Sequence, residues 1–505
     1  MNGTLTKIEL FAAKCGIFSR VMLSVAAKAC LSTNPDNLVS MNTFAKNKVR
    51  WIFAAALMIA ATGLAFSQTS PPPLMQDIKV YNGNSTAVPS GTPLVQKTGI
   101  VTPAAPLNPV KTQYSALAEV IVPGYSGVLV QSLDGNVILE SHADNAFNPA
   151  SNVKVATAYA VLKTFGPEFR FPTNVYTDGT IDRTTGTLDG NLYVSGRDPI
   201  FGFEHGVAIA NELNKLGIFR IHGDLVVTSD FAMNYSVSAA HSGDALFADL
   251  DPSKRSAAAT RVWLNYLAYS GQSGRVTGIP GVTFSGAIYI QGLPSNLRLL
   301  FTHESAPMRD IIKATLCYSN NFIAERLGDM LGGPYAVARI VQLNARIQPV
   351  EFSIQTSSGL GYNRVTPNAM MKLLRALRSD LALNKMTFAD IMPVAGIDNG
   401  TLEGRFDTDF ARGSVVGKTG TLGNTDAGVS ALSGEINTGK GKLLFVIFNQ
   451  HGSVPKFRAF QNYFVSLVQS QFGGAVPIRY DAVSLDTRLA RSRFSYPTAY
   501  YRRNE

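Results

Sequence analysis

The sequence predicts an α+β fold in which one sheet-and-helix domain is split by an insert, and three observations carry that reading. A β-hairpin pattern and then an apolar helix open the ordered region near residue 114. Three antiparallel-looking strands and an amphipathic helix close it near residue 476. Between them, residues 178–299 alternate short β-runs with turns and read as a β-rich insert.

The elements follow in chain order. Lys46, Lys48 and Arg50 precede an uncharged, mostly apolar run from Trp51 to Phe66, and Ala65 and Ser67 put small residues at the −3 and −1 positions before Gln68. That is the pattern of a cleaved export signal; a permanent anchor wants about 20 apolar residues. Met41 stands just ahead of the signal, so residues 1–40 read as an upstream extension. Residues 68–113, rich in Pro, Ser, Thr, Gly and Val, read as a flexible tether. Gly127–Leu133 and Asn136–Ser141 flank Asp134-Gly135, a strong hairpin signal, and Asn152–Phe165 is an apolar helix ending before Gly166-Pro167. Pro307–Leu331 and Pro367–Arg378 read as helices. Ser414–Gly417, Ala427–Gly434 and Lys442–Phe448 read as strands, and Lys456–Phe472 as the closing helix. The expected organisation is an extension plus signal (1–67), a tether (68–113), a domain made of 114–177 and 300–476, an insert (178–299) and a basic, aromatic tail (477–505).

Composition narrows the function. The formal charge of +10 is concentrated at the ends: residues 1–67 carry seven Lys/Arg against two acids, and residues 477–505 carry six Arg against three. No domain has the basic footprint of a nucleic-acid-binding surface. Cleavage before Gln68 would leave Cys317 as the one cysteine, which excludes an intrachain disulfide and a cysteine-based zinc site. The six histidines lack ligand spacing, so neither a metal nor another cofactor is expected. The tail interleaves arginines with Tyr480, Phe494, Tyr496, Tyr500 and Tyr501, which suits either a docked or solvated tail or peripheral contact with an anionic membrane or wall.

G-x-S-x-G and H-E-x-x-H are absent, and Gly413–Thr419 is one residue short of a phosphate loop. What remains is an ordered set: Ser151-Asn-Val-Lys154, Ser319-Asn-Asn321 and Lys418-Thr419-Gly420. Stray copies exist, such as Ser453-Val-Pro-Lys456 and Lys97-Thr-Gly99, but they fall out of order or in the tether. A spacing of three puts Lys154 one helical turn beyond Ser151, on the same face. A serine hydroxyl needs a base, and a neutral lysine amine can serve. The helix dipole and the second cation, Lys418, are expected to depress the Lys154 pKa. Backbone N–H groups of Ser151 and Thr421 could form an oxyanion hole.

Together with Phe147–Lys154, Phe165–Arg170, Gly190–Gly196 with Asp198-Pro199, Asn363–Pro367, Met392–Gly396 and Gly417–Thr421, these motifs resemble the D-alanyl-D-alanine carboxypeptidase/endopeptidases of the penicillin-binding-protein 4 type. The resemblance runs from about residue 115 to 475. It implies the penicillin-binding-protein/serine β-lactamase fold, an antiparallel five-stranded sheet flanked by helices. It also implies a periplasmic enzyme cleaving peptidoglycan stem peptides through an acyl-enzyme, with β-lactams as covalent inhibitors. Ser151 would be the nucleophile, Lys154 its base and Ser319 a proton relay. Asn321 would hold the substrate amide, Lys418 would contact the terminal carboxylate, and Thr419, Gly420 and Thr421 would line the substrate. Two features depart from the family: its Asp-Gly-Ser-Gly-Leu-Ser run is Thr356–Gly361 here, and the insert around Asp244–Ala259 matches poorly. The second motif is also ambiguous, since Tyr318-Ser319-Asn320 can be read as Y-x-N. A serine β-lactamase or esterase of the same fold is an alternative, against which the weak Glu351–Gln355 segment stands in place of a Glu-x-x-x-Asn base element. A non-catalytic wall-binding protein is the other.

Overall fold

The computed structural model describes residues 110–497 apart from Thr277. The export-signal pattern, Cys15, Cys30 and most of the tether lie outside the described residues.

The main sheet contains β1 (Lys111–Thr112), β2 (Tyr125–Ser132), β3 (Val137–Ser141), β4 (Val415–Leu422), β5 (Val429–Thr438) and β6 (Gly441–Gln450). Their order is β1-β3-β2-β6-β5-β4, every pair antiparallel. Five strands form its body, and the two-residue β1, from the end of the expected tether, adds a short sixth at one edge. The β4–β5–β6 strands run longer than the sequence pattern suggested. Apolar residues fill both faces of β6, so alternation is lost there: Leu444, Val446 and Phe448 join one core, while Leu443, Phe445 and Ile447 join the other. Helices α1 (Val153–Phe165) and α4 (Pro367–Leu383) cover the first face. Helix α5 (Val454–Gln471) covers the second with Phe464, Val465 and Val468.

The segment expected as one helix, Pro307–Leu331, is two: α2 (Met308–Tyr318) and α3 (Asn321–Leu331). Ser319 ends α2 in the left-handed region, at φ 55° and ψ 40°. The Asn320 side chain then accepts from Ile323 N at 3.0 Å and caps α3. A local capping residue breaks what apolar periodicity alone joins.

The insert begins earlier than its expected boundary. Pro172–Thr177 pairs with Leu192–Gly196 and with Arg298–Glu304, so it belongs to the insert's six-stranded sheet. A four-stranded sheet and three helices, Phe203–Lys215, Ala239–Leu250 and Ala257–Tyr269, complete the insert. Ile209, Ala210 and Leu213 make an apolar helical stripe that packs into its core.

Through residue 497 the C-terminal segment is docked, as the first of the two tail readings expects, and nothing in it supports adhesion. Arg493–Ser495 pairs antiparallel with Arg298–Glu304 as the edge strand of the insert sheet. Phe494 packs against Phe301 and His303. Arg488 and Arg491 meet the fully buried Asp310 at 3.1 and 3.4 Å, and Arg493 meets Glu304 at 2.6 Å. These arginines answer acids of this chain and are therefore not free to hold a membrane or wall. Arg488→Ala, which leaves a buried carboxylate short of its partner, should cost roughly 3–5 kcal/mol, seen as a lower urea midpoint. Deletion from Pro477 onward should lower the midpoint at least as far. An unchanged midpoint in the truncated protein would mean that the segment contributes nothing to the fold.

Candidate active site

The site is built on a tight turn at the head of α1. Asn148 organises it. Its Oδ1 accepts from Ala150 N at 3.0 Å, its Nδ2 donates to Gly361 O at 2.9 Å and Asp426 Oδ2 at 2.7 Å, and its backbone N–H donates to Gln450 Oε1. Arg364 grips the same Asp426 with two hydrogen bonds. Ser151 follows in a 3₁₀ turn, Ala150–Asn152, that runs straight into α1. The Ser433 hydroxyl donates to Asn152 Oδ1 and ties this turn to β5. Close approach on two sides demands glycine. A Cβ on Gly359, at φ +89°, would stand 2.0 Å from Ala150 O, and one on Gly420 would stand 2.6 Å from Pro149 O.

Lys154 lies one turn beyond Ser151 with its amine buried. Nζ donates to Ser151 Oγ at 3.0 Å, Asn321 Oδ1 at 2.7 Å and Ser358 O at 2.7 Å. Burial pulls its pKa down to about 7, while the Glu325 charge acts in the opposite direction. Burial thus does the work expected of the helix dipole and Lys418. Lys418, wholly buried on β4, donates to Ser319 Oγ at 2.9 Å and to Thr419 O at 2.7 Å. Burial first, and then the Lys154 charge, hold its pKa well below the ordinary lysine value.

The structure therefore brings these residues together as two hydrogen-bonded groups, Ser151–Lys154–Asn321 and Ser319–Lys418, whose serines face one cleft. The competing Y-x-N pair is not so placed: Asn320 is engaged as the α3 cap, and Tyr318 is more than half exposed. A cleft of about 540 Å³ opens in front, lined by Ser151, Ser319, Thr419, Gly420 and Thr421. Cys317 sits behind it, buried, with its thiol pushed up to about 12 by desolvation. The sequence reading missed Glu325. Its carboxylate accepts from Ser357 N and Ser358 N, both at 3.0 Å, and so fixes the backbone just ahead of the Ser358 carbonyl that receives Lys154. Its place four residues after Asn321, on the same helical face, was the available signal. Arg405 and Arg458, which also line the cleft, are 53 residues apart and share no local pattern.

A buried serine–lysine pair, a serine–lysine pair opposite it and a K-T-G strand along one wall fit serine acyl transfer. Residues 116–253 and 275–469 match the D-Ala-D-Ala carboxypeptidase 3 (S13) family. The chain belongs to that family. It is accordingly a serine-type D-Ala-D-Ala carboxypeptidase, with the penicillin-binding-protein fold. It is similar to the D-alanyl-D-alanine carboxypeptidase DacB of Haemophilus influenzae, with 24% identity over 64% of this chain and 84% of that one. The D-alanyl-D-alanine carboxypeptidase of Actinomadura sp. is 26% identical over 66% of this chain and 79% of its own. Among solved structures, the penicillin G-acylated predatory endopeptidase Bd3459 of Bdellovibrio bacteriovorus, in complex with an immunity protein, superposes with a TM-score of 0.62. It is 22% identical, covering 71% of this chain and 96% of that one.

A base role for Lys154 in this S13 enzyme predicts how acylation depends on pH. Only the neutral amine can take the serine proton, so the rate should fall about tenfold per pH unit on the acid side of the Lys154 pKa, near 7, and level off above it. The Glu325 charge raises that pKa, so Glu325→Gln should move the acid limb to lower pH. Penicillin labelling rates across roughly pH 5 to 9 read both effects. A variant limb that stays in place would show that the Glu325 charge does not reach the amine.

Proposed function

We propose that the enzyme cleaves the terminal D-Ala-D-Ala bond, and the corresponding cross-link, of peptidoglycan stem peptides with Ser151 as nucleophile. The observation that carries this is the 3.0 Å separation of Lys154 Nζ and Ser151 Oγ, across which the amine, its pKa pulled down to about 7, can accept the hydroxyl proton once neutral. Neutral Lys154 takes the Ser151 proton as Oγ attacks the carbonyl carbon of the penultimate D-Ala. Backbone N–H groups of Ser151 and Thr421 receive the oxyanion. Collapse breaks the amide and expels the amine, whose nitrogen takes the proton that Lys154 removed from Ser151, relayed across the cleft through Ser319 Oγ. Lys418 holds that hydroxyl in place, and Asn321 steadies both Lys154 and the substrate amide. The β4 segment Thr419–Thr421 aligns the peptide along the cleft. Water then hydrolyses the Ser151 ester. A β-lactam would form the same ester by ring opening and block the site. The signal pattern at residues 46–67 supports export to the periplasm, where peptidoglycan lies.

Labelled penicillin together with a D-Ala release assay tests the assignment. Ser151→Ala should lose both the covalent label and release while keeping its thermal unfolding transition. A penicilloyl adduct on that variant would place the nucleophile elsewhere. Lys154→Arg keeps a charge that cannot become neutral, and acylation should drop by roughly 10²–10⁴-fold. Near-normal acylation by Lys154→Arg would move the base to another group.

The relay has its own test. Ser319→Ala should slow acylation far more than Tyr318→Phe, because Ser319 Oγ is the group that Lys418 addresses. The reverse ranking would hand the role to Tyr318.

A further inference from the structure

A second cavity, of about 320 Å³, lies in the insert and shares no lining residue with the catalytic cleft. It forms where the docked C-terminal strand, Arg493–Ser495, closes against two insert helices, Phe203–Lys215 and Ala257–Tyr269. Its walls are aromatic: Trp263, Tyr266, Phe494 and Tyr496 all line it. Trp263 and Tyr266 stack with ring centroids 5.5 Å apart and planes 17° from parallel. Trp263 is 5% exposed, yet its indole N–H meets no acceptor among the described residues. A buried indole N–H ordinarily has a partner. The Gln272 side-chain amide, also at the wall, likewise makes no hydrogen bond among the described residues.

The charges at the wall are already answered. Glu212, buried, accepts from Lys215 Nζ at 2.6 Å and from Tyr496 OH. Arg493 donates to Glu304 at 2.6 Å. An anion or a cation entering the cavity would compete with a pairing already made. What the cavity offers is flat aromatic surface together with amide and N–H groups. That is the complement of a neutral ring, apolar on its faces and rich in hydroxyl and amide groups at its rim. A pyranose sugar has this form, with C–H faces and polar substituents at its edge, and an N-acetyl group adds an amide that Gln272 can match.

We propose that this cavity binds N-acetylated amino sugars of the peptidoglycan glycan strand, so that the insert holds the polymer from which the scissile peptide hangs. The inference rests on the peptidase reading for its choice of polymer. The C-terminal segment ties the two sites together. Arg491, two residues ahead of Arg493, grips Asp310 in the first turn of α2, and Ser319 ends that helix. Asp310 and Ser319 are separated by about 14 Å along the axis at 1.5 Å per residue. An extended four-residue peptide spans about 13–14 Å. Glycan and stem peptide can therefore be addressed from opposite ends of one rigid element.

Trp263 makes the test direct, because the chain's one other tryptophan, Trp51, lies in the export-signal pattern. The full chain carrying Trp51→Phe is titrated with a β-1,4-linked tetramer of N-acetylglucosamine while Trp263 emission is read. A saturable change is expected, and the deacetylated tetramer should bind more weakly. Gln272→Ala, a change at a half-buried position outside the core clusters, should weaken binding of the acetylated tetramer by roughly 3–10-fold, the range of one lost hydrogen bond. The same variant should release D-Ala from a free pentapeptide at the native rate, and from isolated sacculi more slowly at limiting substrate. Absence of a saturable response, no preference for the acetylated tetramer, or equal affinity in Gln272→Ala would each overturn the site. A tighter response to the free pentapeptide than to the tetramer would overturn it too, by making the cavity a peptide site. Ser151→Ala should bind the tetramer as the native chain does. Failure of the native chain to acylate would therefore overturn the peptidase reading, while the tetramer titration reports on the cavity separately.

Discussion

The Lys154 amine donates to Ser151 Oγ, Asn321 Oδ1 and Ser358 O, acceptors from three separate stretches of chain, in a position almost closed to water. Desolvation favours the neutral amine, but it can be arranged only where α1 runs through the middle of the fold. Accordingly, every residue from Val153 to Val161 is buried, and α1 has no solvent face over that span. The three polar partners of Nζ then fix the neighbours. Asn321 must begin α3, and the 357–359 peptide must lie against the catalytic turn. Glycine at 359 and 420 is what lets backbone come that close. Glu325 completes the arrangement by holding the two amides that precede the critical carbonyl.

Ser319 is held with comparable firmness from the other end of α2. Lys313, fully buried, donates to Ala389 O, Met392 O and Asp398 Oδ2, and Tyr480 OH donates to the other Asp398 oxygen. One turn earlier, Asp310 is gripped by Arg488 and Arg491 from the C-terminal segment. Buried ion pairs contribute little net stability, because desolvation consumes most of the attraction; what they impose is geometry. Here they pin a helix whose last residues must place one serine, in a left-handed conformation, against Lys418. The same C-terminal segment finishes the insert's sheet, so one stretch of chain braces both the insert and the catalytic helix.

What could be read from the sequence was whatever repeats locally. The hairpin around Asp134-Gly135, the apolar stripe of α1 and the β-runs before α5 announce themselves within a dozen residues, and each forms close to its expected place. The three short motifs could be picked out because their order survived the loss of chance copies, and the fold gathers them. The break at Ser319 was hidden, since apolar periodicity continues across it and only the Asn320 cap interrupts it. The docking of the tail was hidden for a different reason. Arg488 looks like any surface arginine until Asp310, 178 residues away, is brought beside it. Long-range partners of that kind, including Arg364 with Asp426 and Ser433 with Asn152, have no signature in sequence spacing.

The two kinds of cation in the site divide the chemistry between them. A lysine amine can give up its proton when it is desolvated, whereas a guanidinium effectively cannot at physiological pH. The structure buries both lysines deeply, where each is shifted towards its neutral form and bonded to a serine hydroxyl. It sets Arg405 and Arg458 at the cleft wall, where their charge is permanent and no carboxylate among the described residues lines the cleft.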